Sequence, residues 1–313
     1  MTNLTCKQPL IHVGYRKTAT TWLQDVFLDN PDLGFASPWG APSKEALERF
    51  VYPNDLDFSS EAVQKAFQAG LEETASKGLI PVLSQEGLIG SHLSDGFQDG
   101  RGQQIAERIH SVFPQAKILI TIREQASIIL SEYRHYIKLG GTATISQFMG
   151  IEKTENSDPI YRLENFEYHL PIKHYQELFG AENVLVIPFE LLKQDKKLFG
   201  RKLLDFFGIE NEPNYTQKAK NIGIFGVRLI VQRRFNMIIK RSKGETFIPK
   251  LPWLLACKIA ADIGQLFPRN INKSIEDSIK QTVDEHIGDL YRQSNQKTSE
   301  LIGENLKELG YSC

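Results

Sequence analysis

The sequence predicts an α/β protein of three layers, with a central parallel sheet covered by helices on both faces. Two observations predict it. Short continuous apolar runs, above all KILITI at Lys117–Ile122, alternate with longer amphipathic runs. A strand that is apolar throughout belongs in a sheet with both faces covered, and helices between such strands make the sheet parallel. The 313 residues, 41% apolar and 24% charged, are enough to bury a core of that kind.

Each element can be read in order. Pro9 to Val13 is a buried strand ended by Gly14. Thr20 to Leu28 starts a helix, with threonines suited to capping. Leu33 to Ala36 is a second short strand, and Glu61 to Lys77 is a helix. Leu79 to Ser84 is a strand in which Pro81 is tolerable only near the beginning. Gly102 to Phe113 is helical, Lys117 to Ile122 is the clearest strand, and Ala126 to Leu139 is the helix after it. Tyr168 to Phe179 is a helix, Asn183 to Ile187 a strand, and Leu198 to Phe207 a helix. From about Gly223 the chain is mostly helical and more basic, with a final helical stretch from about Ile275 to about Leu309. The whole reads as a single domain over 1–313, with an α/β core at about 9–210 and a helical, basic part at about 211–313.

Charge and cysteine content exclude several classes. The net charge is −1, so nothing draws the whole molecule to nucleic acid. Lys218, Lys220, Arg228, Arg233, Arg234, Lys240, Arg241 and Lys243 nevertheless form a run with no acidic residue. That run reads as a solvated helix face, as a grip on an anionic ligand, or as a peripheral membrane contact through 218–255, aided by Phe247, Trp253, Leu254 and Leu255. Cys6, Cys257 and Cys313 are odd in number and widely spaced, which argues against a disulfide framework or a zinc site. There is no signal-peptide pattern at the N-terminus, and no apolar run nears the ~18 residues of a membrane span. The expectation is a soluble protein of a reducing compartment, the cytoplasm.

In a parallel sheet, ligands lie beyond the carboxyl ends of the strands. Chemistry is therefore expected after Val13, Leu83 and Ile122. After Val13 comes Gly14-Tyr15-Arg16-Lys17-Thr18-Ala19-Thr20-Thr21-Trp22, a loop that opens a helix. Backbone N–H groups at a helix start bind anions, Lys17 adds a point charge, and Thr20 and Thr21 add hydroxyls. This is a phosphate cradle, but without the G-x-x-x-x-G-K-[ST] spacing of a Walker A loop.

Arg16 to Leu23 resembles the 5′-phosphosulfate loop of sulfotransferases, with Ala19 where that family usually has Gly. Ala is expected to resist a positive φ there. The segment from Arg123 through Ser131 to Tyr133 resembles the family's 3′-phosphate motif, with Gln125 in place of the usual Pro. Ile187 to Lys193, followed by Phe206 to Ile209, resembles a structural segment of the same family, its Tyr being Phe189 here. Ser84-Gln85-Glu86-Gly87-Leu88 and the tail around Ile287 to Tyr311 are similar to bacterial, carbohydrate-sulfotransferase-like members. The resemblance covers about 9–210 well and the rest loosely.

It implies a P-loop-NTPase-like sulfotransferase fold and an activated sulfate donor, 3′-phosphoadenosine 5′-phosphosulfate, whose product is 3′,5′-adenosine diphosphate, with no metal. Arg16, Lys17, Thr18, Ala19, Thr20, Thr21, Trp22, Arg123 and Ser131 would hold the donor, joined by Lys218 and Lys220. Trp22 either stacks on the adenine or packs in the core. Lys17 would steady the leaving phosphate, and Glu86 would be the base, with His92 as runner-up. Ser84 either positions the sulfuryl group or bonds backbone. The acceptor is expected to be a hydroxyl, of a carbohydrate in the first instance. A nucleotide kinase or NTPase, and a non-catalytic nucleotide-binding protein on the same fold, are the competing readings. Sensitivity to Mg²⁺ chelation would favour the first of these.

Overall fold

The computed structural model describes residues 7–90, 100–152, 160–215, 223–239 and 250–313. Five strands form one sheet: β1 Leu10–His12, β2 Phe35–Ala36, β3 Ile80–Ser84, β4 Lys117–Ile122 and β5 Val184–Pro188. Their order is β2-β3-β1-β4-β5, and every pairing is parallel. The helices are α1 Thr20–Leu23, α2 Lys44–Ala46, α3 Ser60–Ser76, α4 Arg101–Val112, α5 Gln125–Lys138, α6 Ile145–Phe148, α7 His169–Phe179, α8 Phe189–Gln194, α9 Lys196–Phe207, α10 Val227–Ile239, α11 Lys250–Leu266, α12 Arg269–Ile287 and α13 Arg292–Ile302.

The expected three-layer α/β architecture is present. KILITI forms β4 over the six residues read from the sequence. Pro81 is the second residue of β3, where its missing N–H is tolerable. The first helix widens after one turn, continuing as a π-helical turn over Gln24–Leu28. Leu10, Phe27, Phe35, Val82, Leu119 and Phe199 lie at the centre of a core built by the sheet and the helices after it. Burying each such side chain contributes about 1.5–3 kcal/mol. The register sets His12 beside Ser84 on one side and Leu119 on the other. The carboxyl ends of β1 and β3 therefore finish side by side, and β4 runs on three residues further in the same direction.

The chain divides into two compact units. The first holds Met1–Glu124, Glu164–Lys220 and Tyr291–Cys313, and includes the whole sheet. In it, α13 packs on α7, where the His169 Nδ1 and Ser294 Oγ atoms lie 2.8 Å apart and the Gln176 amide donates to the Leu301 carbonyl. The second unit holds Gln125–Leu163 and Asn221–Leu290, and is helical. There α10 packs on α5, α11 and α12, and the Asn236 amide donates to the Ile137 and Gly141 carbonyls at 2.8 Å. The final stretch expected to be helical from about Ile275 to about Leu309 is instead two helices. Gly288 takes a left-handed φ of 38° and ends α12, and α13 belongs to the first unit.

Among the described residues, no helix is long and apolar enough to cross a membrane. No group of His, Cys, Asp or Glu among them is arranged to hold a metal ion.

Candidate functional site

The site begins where β1 ends. Val13 and Tyr15 still donate their backbone N–H groups to the Leu119 and Thr121 carbonyls of β4. Gly14 lies between them because nothing larger fits: a Cβ there would come within 2.1 Å of the Thr121 hydroxyl and 2.8 Å of His12 Nε2. The chain then turns into α1 through two left-handed residues, Lys17 at φ 64° and Ala19 at φ 65°. Ala19 thus adopts the conformation it was expected to resist. An alanine held this way costs about 1 kcal/mol and persists only where the surroundings over-determine it. Backbone turns that alternate in hand aim successive N–H groups at one point, an arrangement suited to an anion.

What over-determines the loop is a buried line of polar groups beneath it. The Thr18 hydroxyl donates to the Tyr15 carbonyl and lies 2.7 Å from the Thr121 hydroxyl. Thr121 Oγ1 is 3.3 Å from His12 Nε2, and His12 Nδ1 is 2.9 Å from Ser84 Oγ. The Gln24 amide donates to Ser84 Oγ at 2.9 Å. Only one set of directions satisfies every member. Thr18 has given away its hydrogen, so Thr121 donates to Thr18. His12 Nε2–H then donates to Thr121, and Ser84 donates to His12 Nδ1. Each group gives one hydrogen and receives one, as buried polar groups require. Burial holds the His12 pKa down at about 4, so the ring is neutral, as this line demands. Ser84 is fully buried and bonded to side chains, so its hydroxyl neither bonds backbone nor faces a substrate.

The second strand end, that of β3, carries Glu86. Gln85 caps the short 3₁₀ turn Glu86–Ile89: its side chain accepts from the Gly87 N–H and donates to the Ser43 carbonyl. Glu86 is thereby released from capping, and its carboxylate lies 3.9 Å from Arg16 Nε, each side chain about one-third exposed. This pair is too long and too wet to stabilise much. Its importance is that it brings the candidate base to the loop after β1.

The third strand end, that of β4, carries Arg123. Its Nη1 donates to the Lys17 carbonyl at 2.8 Å, and its guanidinium lies 4.8 Å from the centre of the Phe189 ring. The two motifs read separately from the sequence are thus joined by one hydrogen bond. A third layer fixes Arg123 in turn. The Tyr168 hydroxyl donates to its carbonyl, and the next residue, Glu124, donates its N–H to the Glu190 carboxylate. Glu190 also accepts from the Tyr311 hydroxyl at 2.8 Å. Burial raises the Glu190 pKa, and the Tyr311 bond opposes that rise. Lys193 flanks the same Phe189 ring, and burial together with the nearby Arg123 charge lowers its pKa.

The remaining expected residues divide. Thr20 is buried in the first turn of α1 with its hydroxyl lacking a hydrogen-bond partner in the protein, and Thr21 is exposed. Trp22 packs on Phe27 and Phe199 of the core, at centroid distances of 5.5 and 5.9 Å, which favours the core reading over stacking on adenine. Ser131 lies on α5, in the second unit. α5 begins at Gln125, so the residue in the usual proline's place opens the helix, as a proline there would. His92, Lys218 and Lys220 lie outside the described residues.

Sequence reading missed His12, Gln24 and Thr121, and placed Glu190 only within the structural segment Ile187 to Lys193. The signal for two of them was a polar residue near the end of an otherwise apolar strand, His in PLIHV and Thr in KILITI.

The sulfotransferase family model matches residues 103–213, the stretch that carries β4, Arg123, Ser131, β5 and Glu190. The matched stretch is about a third of the chain. A sulfotransferase from Alicyclobacillus acidocaldarius is similar over 97% of this chain and 98% of its own, at 17% identity and a TM-score of 0.57. A mouse sulfotransferase complexed with PAP covers 94% of this chain and 89% of its own, at 17% identity and a TM-score of 0.39. No curated protein sequence matches the chain. The family match stops short of the Arg16–Thr21 loop, so any role of that loop rests on its own geometry.

Proposed function

We propose that this protein moves a sulfuryl group from 3′-phosphoadenosine 5′-phosphosulfate to an acceptor hydroxyl, with a carbohydrate as the acceptor class. The observation that carries the reading is the Arg123–Lys17 hydrogen bond, which ties a cation at the end of β4 to the anion-shaped loop after β1. A donor phosphorylated at both ends needs both parts.

The loop fits the donor's 5′-phosphate. Its left-handed residues aim backbone N–H groups, and the buried Thr20 hydroxyl has a bond left to make. Arg123 would hold the 3′-phosphate, since a guanidinium offers the planar fork that a phosphate accepts. In the transfer, the acceptor oxygen attacks sulfur while Glu86 takes its proton. The bond from sulfur to the bridging phosphate oxygen breaks, and its electron pair stays on the phosphate. Lys17 steadies that charge, and 3′,5′-adenosine diphosphate leaves. The carbohydrate acceptor is favoured by a carboxylate base at this place.

Two measurements test the reading. The diphosphate should raise the melting temperature more than ATP does, because a ligand that binds only the folded state stabilises it by mass action. A shift with ATP and none with the diphosphate would reject the donor. Glu86→Gln should cut turnover by about 10²–10⁴ while diphosphate binding stays near wild type. Equal loss of both would make Glu86 structural and move the base elsewhere.

A further inference from the structure

Over its described side chains helix α11 is built inside out, and the second half of α10 follows the same pattern. In a helix of a soluble protein, large apolar residues face the core and polar ones face water. Among the described side chains of α11 the buried ones are small, Ala256 and Ala260, while Leu254, Leu255, Ile259 and Leu266 are exposed by 56%, 58%, 39% and 80%. α10 buries Val227 and Leu229 in its first turn, but beyond them the polar Gln232 and Asn236 are buried and hydrogen-bonded to each other, while Ile230, Met237 and Ile238 are exposed. The two helices pack together within the second unit. Their outward residues recur at helical spacing: Ile230, Arg234, Met237 and Ile238 on α10, and Leu254, Leu255, Lys258, Ile259, Asp262 and Leu266 on α11. Scattered exposed hydrophobics need no explanation, but a face of them on two packed helices does.

Charge identifies what that face meets. Residues 218–261 hold ten of the chain's 37 basic residues and one of its 38 acidic ones. Arg234 and Lys258 stand exposed among the apolar side chains, against the one carboxylate of Asp262. Neither helix is long and apolar enough to cross a bilayer. Apolar residues interleaved with cations on a short helix suit the plane of a membrane interface, where the apolar groups enter the acyl boundary and the cations meet anionic headgroups. We infer that the α10–α11 face docks on an anionic lipid surface. A second copy of the chain fits less well, because a two-fold contact sets a patch against itself and would gather both copies' Arg234 and Lys258 into one interface.

The test uses the full-length protein and vesicle co-sedimentation. The protein should pellet with mixed phosphatidylcholine–phosphatidylserine vesicles and not with phosphatidylcholine alone, and added salt should release it. Arg234→Gln with Lys258→Gln should weaken vesicle binding roughly 30-fold. The triple variant Leu254→Ser, Leu255→Ser, Ile259→Ser should abolish it. None of these residues belongs to the donor site, so the melting-temperature shift with 3′,5′-adenosine diphosphate should persist and report an intact fold. Equal pelleting with both vesicle types, or with neither, overturns the proposal. So does a dimer in sedimentation velocity that the triple variant converts to monomer with no change in vesicle binding.

Discussion

Ala19 holds a backbone conformation that suits glycine, and the loop bears the strain. Replacing it should therefore help. Ala19→Gly is expected to raise stability by about 0.5–1 kcal/mol in urea unfolding and to leave diphosphate binding intact. His12 gives a second prediction at this scale. The folded ring takes a proton only near pH 4, whereas an unfolded histidine takes one near 6.5. Between those values the unfolded chain binds more protons, so stability falls as the pH drops from 6.5 toward 4. The loss attributable to this residue is on the order of 3 kcal/mol. His12→Asn should be about 1–3 kcal/mol less stable at neutral pH, because it leaves buried hydroxyls short of a partner, and should lack this part of the pH slope. Unfolding curves at pH 7 and 4.5 for both proteins check the sign. A variant with the full wild-type slope would assign it to the carboxylates.

At the scale of elements, the end of β4 is held by a segment far away in sequence. Tyr311, near the C-terminus, reaches Glu190 at the start of α8, and Glu190 receives the N–H of the residue after Arg123. Tyr311→Phe removes one donor from a buried carboxylate and should cost about 1.5–3 kcal/mol. Because Arg123 is positioned through the same carboxylate, diphosphate affinity should fall as well, by more than in a surface variant of equal stability. The contrast between β4 and this anchor shows what the sequence made legible. Six apolar residues in a row could only be a covered strand, and the residue after them lay at the ligand end. Nothing local in Tyr311 announces a partner 121 residues away. The Arg123–Lys17 bond was invisible for the same reason, although each partner was singled out alone.

For the whole molecule, the net charge of −1 conceals a division. A protein with evenly mixed charges near neutrality binds ion exchangers weakly. This one should be retained at pH 7 by both cation and anion exchangers, because one stretch is strongly basic and the remainder acidic. Arg234→Gln with Lys258→Gln should reduce retention on the cation exchanger alone. The fold class was readable because alternating apolar and amphipathic runs admit few layer arrangements. The break at Gly288 was not, since the helical pattern continues on both sides of it and only packing assigns α12 and α13 to different units.

The buried line from Gln24 to the Tyr15 carbonyl has one more consequence. Every hydrogen in it points the same way, so the row behaves like dominoes with a single standing order. Turning one member demands turning all. The His12 ring sits mid-row and carries two nitrogens that nuclear magnetic resonance can tell apart. With ¹⁵N-labelled histidine, Nε2 should appear protonated and Nδ1 bare. An anion that draws the Thr18 backbone toward itself tugs on the row's far end. The ring resonances should therefore shift when diphosphate is added, which makes a residue with no path to solvent a built-in gauge of loop occupancy.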